Sequence, residues 1–260
     1  MILIPLLLAP AVMAAAALIE RRLGPSAAGW VAALPLAFAV AVAAVTVDAN
    51  PQAAGSMALS AAAHVPAQVV LGVVLARVLR RRGLISGAVC GASAYVICSF
   101  VVHQVPAALA VAVAVGALAV APRLMPSAQP RLGSPRHWST TALTCLCAAA
   151  IVAAAVLSSR LAGPDLAGAI AAFPTMCTTL TVVAVTRDGA IAGVHTLVGL
   201  VRSLPCYLAF CLVVALSAPV IGLAGVGLGL LACLAMAGVT WRRVPIAPAV
   251  GFDAGGSTRW

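Results

Sequence analysis

Arg202 sits near the middle of an apolar run from Ala190 to Leu216, with no acidic residue near it in sequence. Bringing a guanidinium to a bilayer midplane costs roughly 2.5–3.5 kcal/mol, so such a residue faces a protein interior or a watery cavity and holds something negative. His195 lies seven residues before it and Cys206 four residues after it, which places all three on one helical face. An earlier run carries a second polar stripe, Ser56, Ser60, His64 and Gln68, recurring every four residues. His64 and Arg202 lie two and three residues before Pro66 and Pro205. Pro35 and Pro174 interrupt two further apolar runs, and Pro174 is followed by Thr175, Thr178, Thr179 and Thr181. A proline removes one helical hydrogen bond and frees a carbonyl.

Together these residues predict the lining of a binding site. Arg202 would hold an anionic group, with His64, His195, Ser60, Gln68, Thr175 and Cys206 shaping the rest, and Pro35, Pro66, Pro174 and Pro205 breaking the helices around it. Each has a blander reading. A buried histidine is commonly just hydrogen-bonded, and a hydroxyl in a membrane helix often bonds its own backbone. Cysteine as a small apolar filler is preferred to a soft-metal path through Cys177 and Cys206.

The five acids, Glu20, Asp48, Asp165, Asp188 and Asp253, all fall at predicted helix ends or in the tail. No carboxylate is placed to relay protons or hold sodium at a midplane. No phosphate-binding glycine loop, paired-aspartate motif or His-Glu-x-x-His stands in the chain. Neither an enzyme nor an ATP-driven pump is expected, and no metal or cofactor is implied.

The elements that must position these residues are membrane helices. The 260 residues are 64% hydrophobic and only 8% charged, with a mean hydropathy of +1.17, and apolar windows about 20 residues long recur throughout. The expected class is an all-α polytopic membrane protein. Its net charge of +10 is not read as nucleic-acid binding, because the arginines gather at helix ends. All eight cysteines lie in apolar stretches, against a disulfide framework. About nine crossings fit, at 2–19, 26–47, 53–76, 84–102, 106–121, 139–158, 166–185, 190–216 and 219–239. Thirteen arginines then fall on one side and only Arg160 on the other. By the positive-inside rule the N-terminus is outside and the C-terminus cytoplasmic, in a bacterial cytoplasmic membrane. The first run lacks a basic leader and reads as a retained helix rather than a secretory signal.

An internal repeat organises the chain. Residues 21–35 and 160–174 agree at eight of fifteen positions at an offset of 139, including Gly24 with Gly163, Pro25 with Pro164, Gly29 with Gly168 and Pro35 with Pro174. Pro66 pairs with Pro205 at the same offset, and Asp48 with Asp188 one residue further. Five crossings separate the two copies, and an odd number reverses orientation. The expected layout is two inverted four-helix repeats, 1–103 and 138–243, joined by one extra helix and a loop over 104–137, with a tail over 244–260. Gly87 and Gly91, and Gly225 and Gly229, are read as close-packing surfaces.

The stretch Ala167-Gly168-Ala169-Ile170-Ala171-Ala172-Phe173-Pro174-Thr175, followed by an acidic residue and a helix carrying Ser203-Leu204-Pro205-Cys206-Tyr207, resembles the GlpM-like small bacterial membrane proteins. The resemblance implies two such units fused in opposite senses, and therefore membrane architecture rather than a particular activity. Inverted repeats are common in secondary transporters, with the site between the repeats. The expected function is export of a small anionic or polar metabolite, driven by the inside-negative potential. Partners are the lipid bilayer, the solute and, compatibly, a second copy in a homo-oligomer. Two alternatives stay open: a protein that handles anionic lipid at Arg202, and a non-transporting scaffold for a partner enzyme.

Overall fold

The computed structural model describes residues 25–48, 50–127 and 172–242, together with Leu18 and Leu23. The crossings expected at 2–19 and 139–158, and most of the 122–137 loop, lie outside the described residues. All regular structure among the described residues is helical: α1 Pro25–Ala32, α2 Leu36–Asp48, α3 Pro51–Ala63, α4 Val65–His103, α5 Ala107–Leu124, α6 Thr175–Asp188, α7 Ala190–Ile221 and α8 Leu223–Trp241. Among the described residues, four helical stretches are long and apolar enough to cross a membrane: Pro51–His103, Ala107–Leu124, Ala190–Ile221 and Leu223–Trp241. These apolar helices fit a multi-pass membrane protein.

The 53 residues from Pro51 to His103 would reach about 80 Å as one straight helix, far beyond a hydrocarbon core of about 30 Å. The chain folds back instead. Gly83, at φ 83° and ψ −178°, is non-helical and reverses α4 on itself. Gly87 then packs against Leu75 and Leu79, and Gly91 against Leu71 and Leu75. The same device recurs at the α7–α8 junction. Gly222 has φ 59° and ψ −132°, after which Gly225 packs on Ala218 and Gly229 on Val214 and Phe210. Where no water can drive association, small residues let helices gain van der Waals contact. Both glycine pairs read from the sequence make such contacts. Backbone angles like those of Gly83 are essentially confined to glycine, so Gly83→Ala is expected to cost about 1–3 kcal/mol. Thermal unfolding in detergent, beside Gly116→Ala on an open face of α5, measures that cost.

Helix starts follow local chemistry. Asn50 caps α3, its Oδ1 accepting from Ala53 N at 2.6 Å, with Pro51 in the first turn. Gly189, at φ 87°, ends α6 and opens α7. Helices α2, α4, α5, α6, α7 and α8 end one to five residues beyond the predicted spans, because apolarity marks the hydrocarbon-facing part while caps set the ends. Around Pro35 the difference is one of kind. The single helix expected over 26–47 is two, α1 and α2, separated by Ala33, Leu34 and Pro35.

α7 lies at the centre and packs against α8, α3, α1, α6 and α4. At the α1–α7 crossing the main chains nearly touch. A Cβ on Gly29 would run into the Thr196 carbonyl, and one on Gly199 into the Ser26 carbonyl and the Trp30 amide. One core layer gathers Trp30, Phe38, Val42, Tyr207 and Phe210. The other gathers Leu71, Leu75, Leu79, Leu197, Leu200 and Leu204. Ile85, Phe100, Leu216, Val220 and Leu234 stay exposed and form an apolar outer surface suited to lipid.

Candidate functional site between two broken helices

Two helix interruptions face one another across a cavity of about 80 Å³. One is the Ala33–Pro35 gap between α1 and α2. The other is the Ala172–Pro174 turn that opens α6. Ala33, Leu34 and Pro35 from the first break and Phe173, Pro174 and Thr175 from the second line it, together with Gln68, Leu200 and Tyr207.

The two breaks have the same hydrogen-bond pattern. Leu36 N donates to Leu34 O at 2.8 Å, and Thr175 N to Phe173 O at 2.8 Å. The first helical bonds run from Ala39 N to Pro35 O at 2.7 Å and from Thr178 N to Pro174 O at 2.9 Å. Ahead of the first gap, Ala33 N donates to Gly29 O and Leu34 N to Val31 O. Many carbonyls flanking the gaps are therefore engaged. Donors are not balanced in the same way. The first-turn amides of Ala37 and Phe38, and of Met176 and Cys177, have no acceptor within their own helices, and no side chain caps α6. The helix starts at Leu36 and Thr175 each carry roughly half a positive charge from the aligned peptide dipoles.

Two side chains add to this. Gln68 is 2% exposed and Tyr207 6% exposed. Gln68 and Tyr207 both line the cavity, and Gln68 Nε2 and Tyr207 Oη make no hydrogen bond of ordinary geometry, the phenol interacting only weakly with the Gln68 and Cys211 side chains. A buried polar atom left without a partner costs about 1–3 kcal/mol. Phe38, in the first turn of α2, packs on the Tyr207 ring with centroids 5.6 Å apart. Tyr95 meets Phe173 edge-on at 5.1 Å. The aromatic contacts hold the phenol and the second break in place. The cavity thus offers backbone N–H groups and two buried polar side chains in a largely apolar wall, a surface suited to a small polar or anionic solute.

The residues singled out in the sequence are distributed over several places. Gln68, Thr175, Pro35 and Pro174 line this cavity. Ser60 and His64 line another, of about 210 Å³, with Ser56 and His103, and His64 Nδ1 donates to Ser60 O at 2.7 Å. His195 Nδ1 meets Ser26 Oγ on α1 at 3.2 Å. Cys206 Sγ lies 3.1 Å from Thr240 Oγ1 on α8. Arg202 is half-buried on α7 and does not line the cavity between the breaks. Pro66 stands in the first turn of α4, whereas α7 continues through Pro205. The hydroxyls after Pro174 bond their own helix: Thr178 to Pro174 O and Thr175 O, Thr179 to Thr175 O, and Thr181 to Cys177 O. Tyr207 had not been singled out as a site residue. It is one of only two tyrosines in the chain and stands 139 positions after Gln68, the offset of the repeat.

Compared with known protein families, curated proteins and solved structures, the chain shows no match.

Proposed function

We propose that the protein is a secondary transporter that carries a small anionic solute through the cavity between its two broken helices. One observation carries this reading. Two helix starts with the same hydrogen-bond pattern meet at a cavity lined by two buried polar side chains, Gln68 and Tyr207, whose Nε2 and Oη the fold engages only weakly. Interrupted helices whose N-termini aim at a shared space suit anion recognition inside a membrane, where a fully charged ligand set would cost more to bury.

The inverted repeat belongs to the proposal and has support beyond the sequence. At the offset of 139, Leu34 pairs with Phe173, Pro35 with Pro174, Gln68 with Tyr207 and Gly83 with Gly222. Pro51 to Arg82 has the length of α7, 32 residues, and each ends at a positive-φ glycine. The partners of the two glycine pairs also correspond, Leu79 with Ala218, Leu75 with Val214 and Leu71 with Phe210. The proposal retains nine crossings, a fusion of two GlpM-like units, an external N-terminus and a bacterial cytoplasmic membrane. An inside-negative potential contributes about 2.3 kcal/mol per charge per 100 mV, which drives an anion outward.

Purified protein in liposomes tests this reading with formate, acetate, nitrate and chloride as probes. Flux of at least one is expected, and for uncoupled movement its equilibrium gradient should change about fifty-fold per 100 mV. If no probe moves, or if movement ignores the potential, this mechanism is wrong.

A further inference from the structure

A separate cavity of about 450 Å³ is lined by Arg77, Arg80, Arg81, Arg123, Leu124 and Met125, together with Pro126. Arg77, Arg80 and Arg81 follow the i, i+3, i+4 spacing that puts them on one face of α4. Arg123 comes from the end of α5. No acidic residue lines the cavity, and none occurs in the sequence between Asp48 and Asp165.

Part of this cluster is explained by capping. Arg77 Nε donates to Leu124 O at 3.1 Å and Arg80 Nη1 to Ser127 O at 3.4 Å, which satisfies carbonyls at and after the end of α5. Arg123 Nη1 donates to Ala119 O on its own helix at 3.1 Å. Each guanidinium has five N–H donors, so one such bond leaves most of its fork unused. Four cations around one cavity exceed what closing a helix end requires.

The position of the cavity identifies the negative partner. α5 is 18 residues long, about 27 Å, close to the hydrocarbon thickness of about 30 Å. Its last turn therefore reaches the level where lipid phosphates lie. Apolar side chains stand on both sides of that level, with Ile85, Val89 and Val120 exposed nearby in sequence and Leu124 and Met125 in the cavity wall. Guanidinium forks match phosphate oxygens, and basic pockets between membrane helices take anionic headgroups. We infer that this cavity binds the phosphate of an anionic phospholipid, in a site independent of the transport reading.

The test uses the full chain in a zwitterionic detergent, with phosphatidylglycerol, phosphatidylcholine and inorganic phosphate as separate probes. Retained lipid is read by native mass spectrometry and stabilisation by the thermal midpoint. Wild type should retain phosphatidylglycerol at least tenfold over phosphatidylcholine. The combined Arg77→Gln, Arg80→Gln, Arg81→Gln variant should lose about a hundredfold, at roughly 1 kcal/mol per arginine. The Arg81→Gln, Arg123→Gln pair leaves both carbonyl caps on Leu124 and Ser127 in place and should lose about thirtyfold, even if the triple variant fails to fold. Arg242→Gln, on an exposed residue outside the cavity, should behave as wild type. Equal retention of the two lipids, or wild-type retention by the Arg81/Arg123 pair, overturns the inference. A midpoint shift with inorganic phosphate as large as that with phosphatidylglycerol also overturns it, by marking a soluble-phosphate site.

Discussion

Tyr207→Phe is expected to leave the protein as stable as wild type, or more so, while weakening solute binding about tenfold or more. The two effects have opposite signs because the hydroxyl makes no hydrogen bond of ordinary geometry in the fold, only weak interactions with the Gln68 and Cys211 side chains. Removing a buried polar atom that is only weakly bonded relieves its desolvation cost and leaves the Phe38 contact intact. A hydrogen bond to a charged ligand contributes about 1.5–3 kcal/mol, and tenfold is about 1.4 kcal/mol. Combining it with Gln68→Leu should raise the loss to about a hundredfold or more. Gln68→Glu is the sharper probe. A carboxylate between two positive helix starts should abolish anion flux outright at a pH where it is ionised. Paired thermal-midpoint and liposome-flux measurements on each variant decide the matter. If Tyr207→Phe melts early and transports normally, the phenol is structural and the site lies elsewhere.

Gly199→Leu is expected to prevent folding. Position 199 faces the main chain of α1 rather than flexible side chains, so nothing can turn aside to admit a larger residue. Overpacking a core with methylenes commonly costs 1–3 kcal/mol, and a backbone collision should exceed about 3 kcal/mol because relief requires moving a helix. α1 ends at Ala32, three residues after Gly29, so any shift of this crossing also displaces the first break. Even Gly199→Ala should reduce binding at the cavity together with stability. Gly227→Ala, with open space around its position, should be neutral or stabilising by up to about 1 kcal/mol. Detergent-solubilised yield and size-exclusion profile read the result. A monodisperse Gly199→Leu protein with a wild-type midpoint would show that the crossing tolerates separation.

Much of the helical layout is legible in the residues, because apolar runs, prolines and glycines act locally. The runs at 84–102, 106–121, 190–216 and 219–239 fall within five residues of the second half of α4 and of α5, α7 and α8, and the glycine pairs at 87/91 and 225/229 mark the faces that do pack closely. The breaks at Pro35 and Pro174 were visible as prolines, but a proline shows only that one bond is lost. Whether the chain bends or stops depends on the tight turn at Leu34 or Phe173, and neither residue carries a signal of its own. The polar stripe on the third predicted crossing fails for a geometric reason. Spacing of four residues advances about 40° beyond a full turn at each step. Ser56, Ser60 and His64 consequently reach one cavity while Gln68, further round and past Pro66, reaches another. Arg202 drew attention by its charge, yet the cavity donors are an amide, a phenol and backbone N–H groups, which composition does not distinguish from packing.

The size of the cavity between the breaks has a consequence for selectivity. At about 80 Å³ it is small beside the roughly 300–1,000 Å³ of a pocket for a drug-sized ligand. A solute of several atoms enters only after shedding its hydration shell. The cost of stripping an ion grows with the square of its charge, and the wall answers with dipoles rather than formal charges. Sulfate or a phosphate dianion would be refused for its grip on water as much as for its bulk. Among monovalent ions the order of preference should follow ease of dehydration, nitrate ahead of chloride and chloride ahead of fluoride.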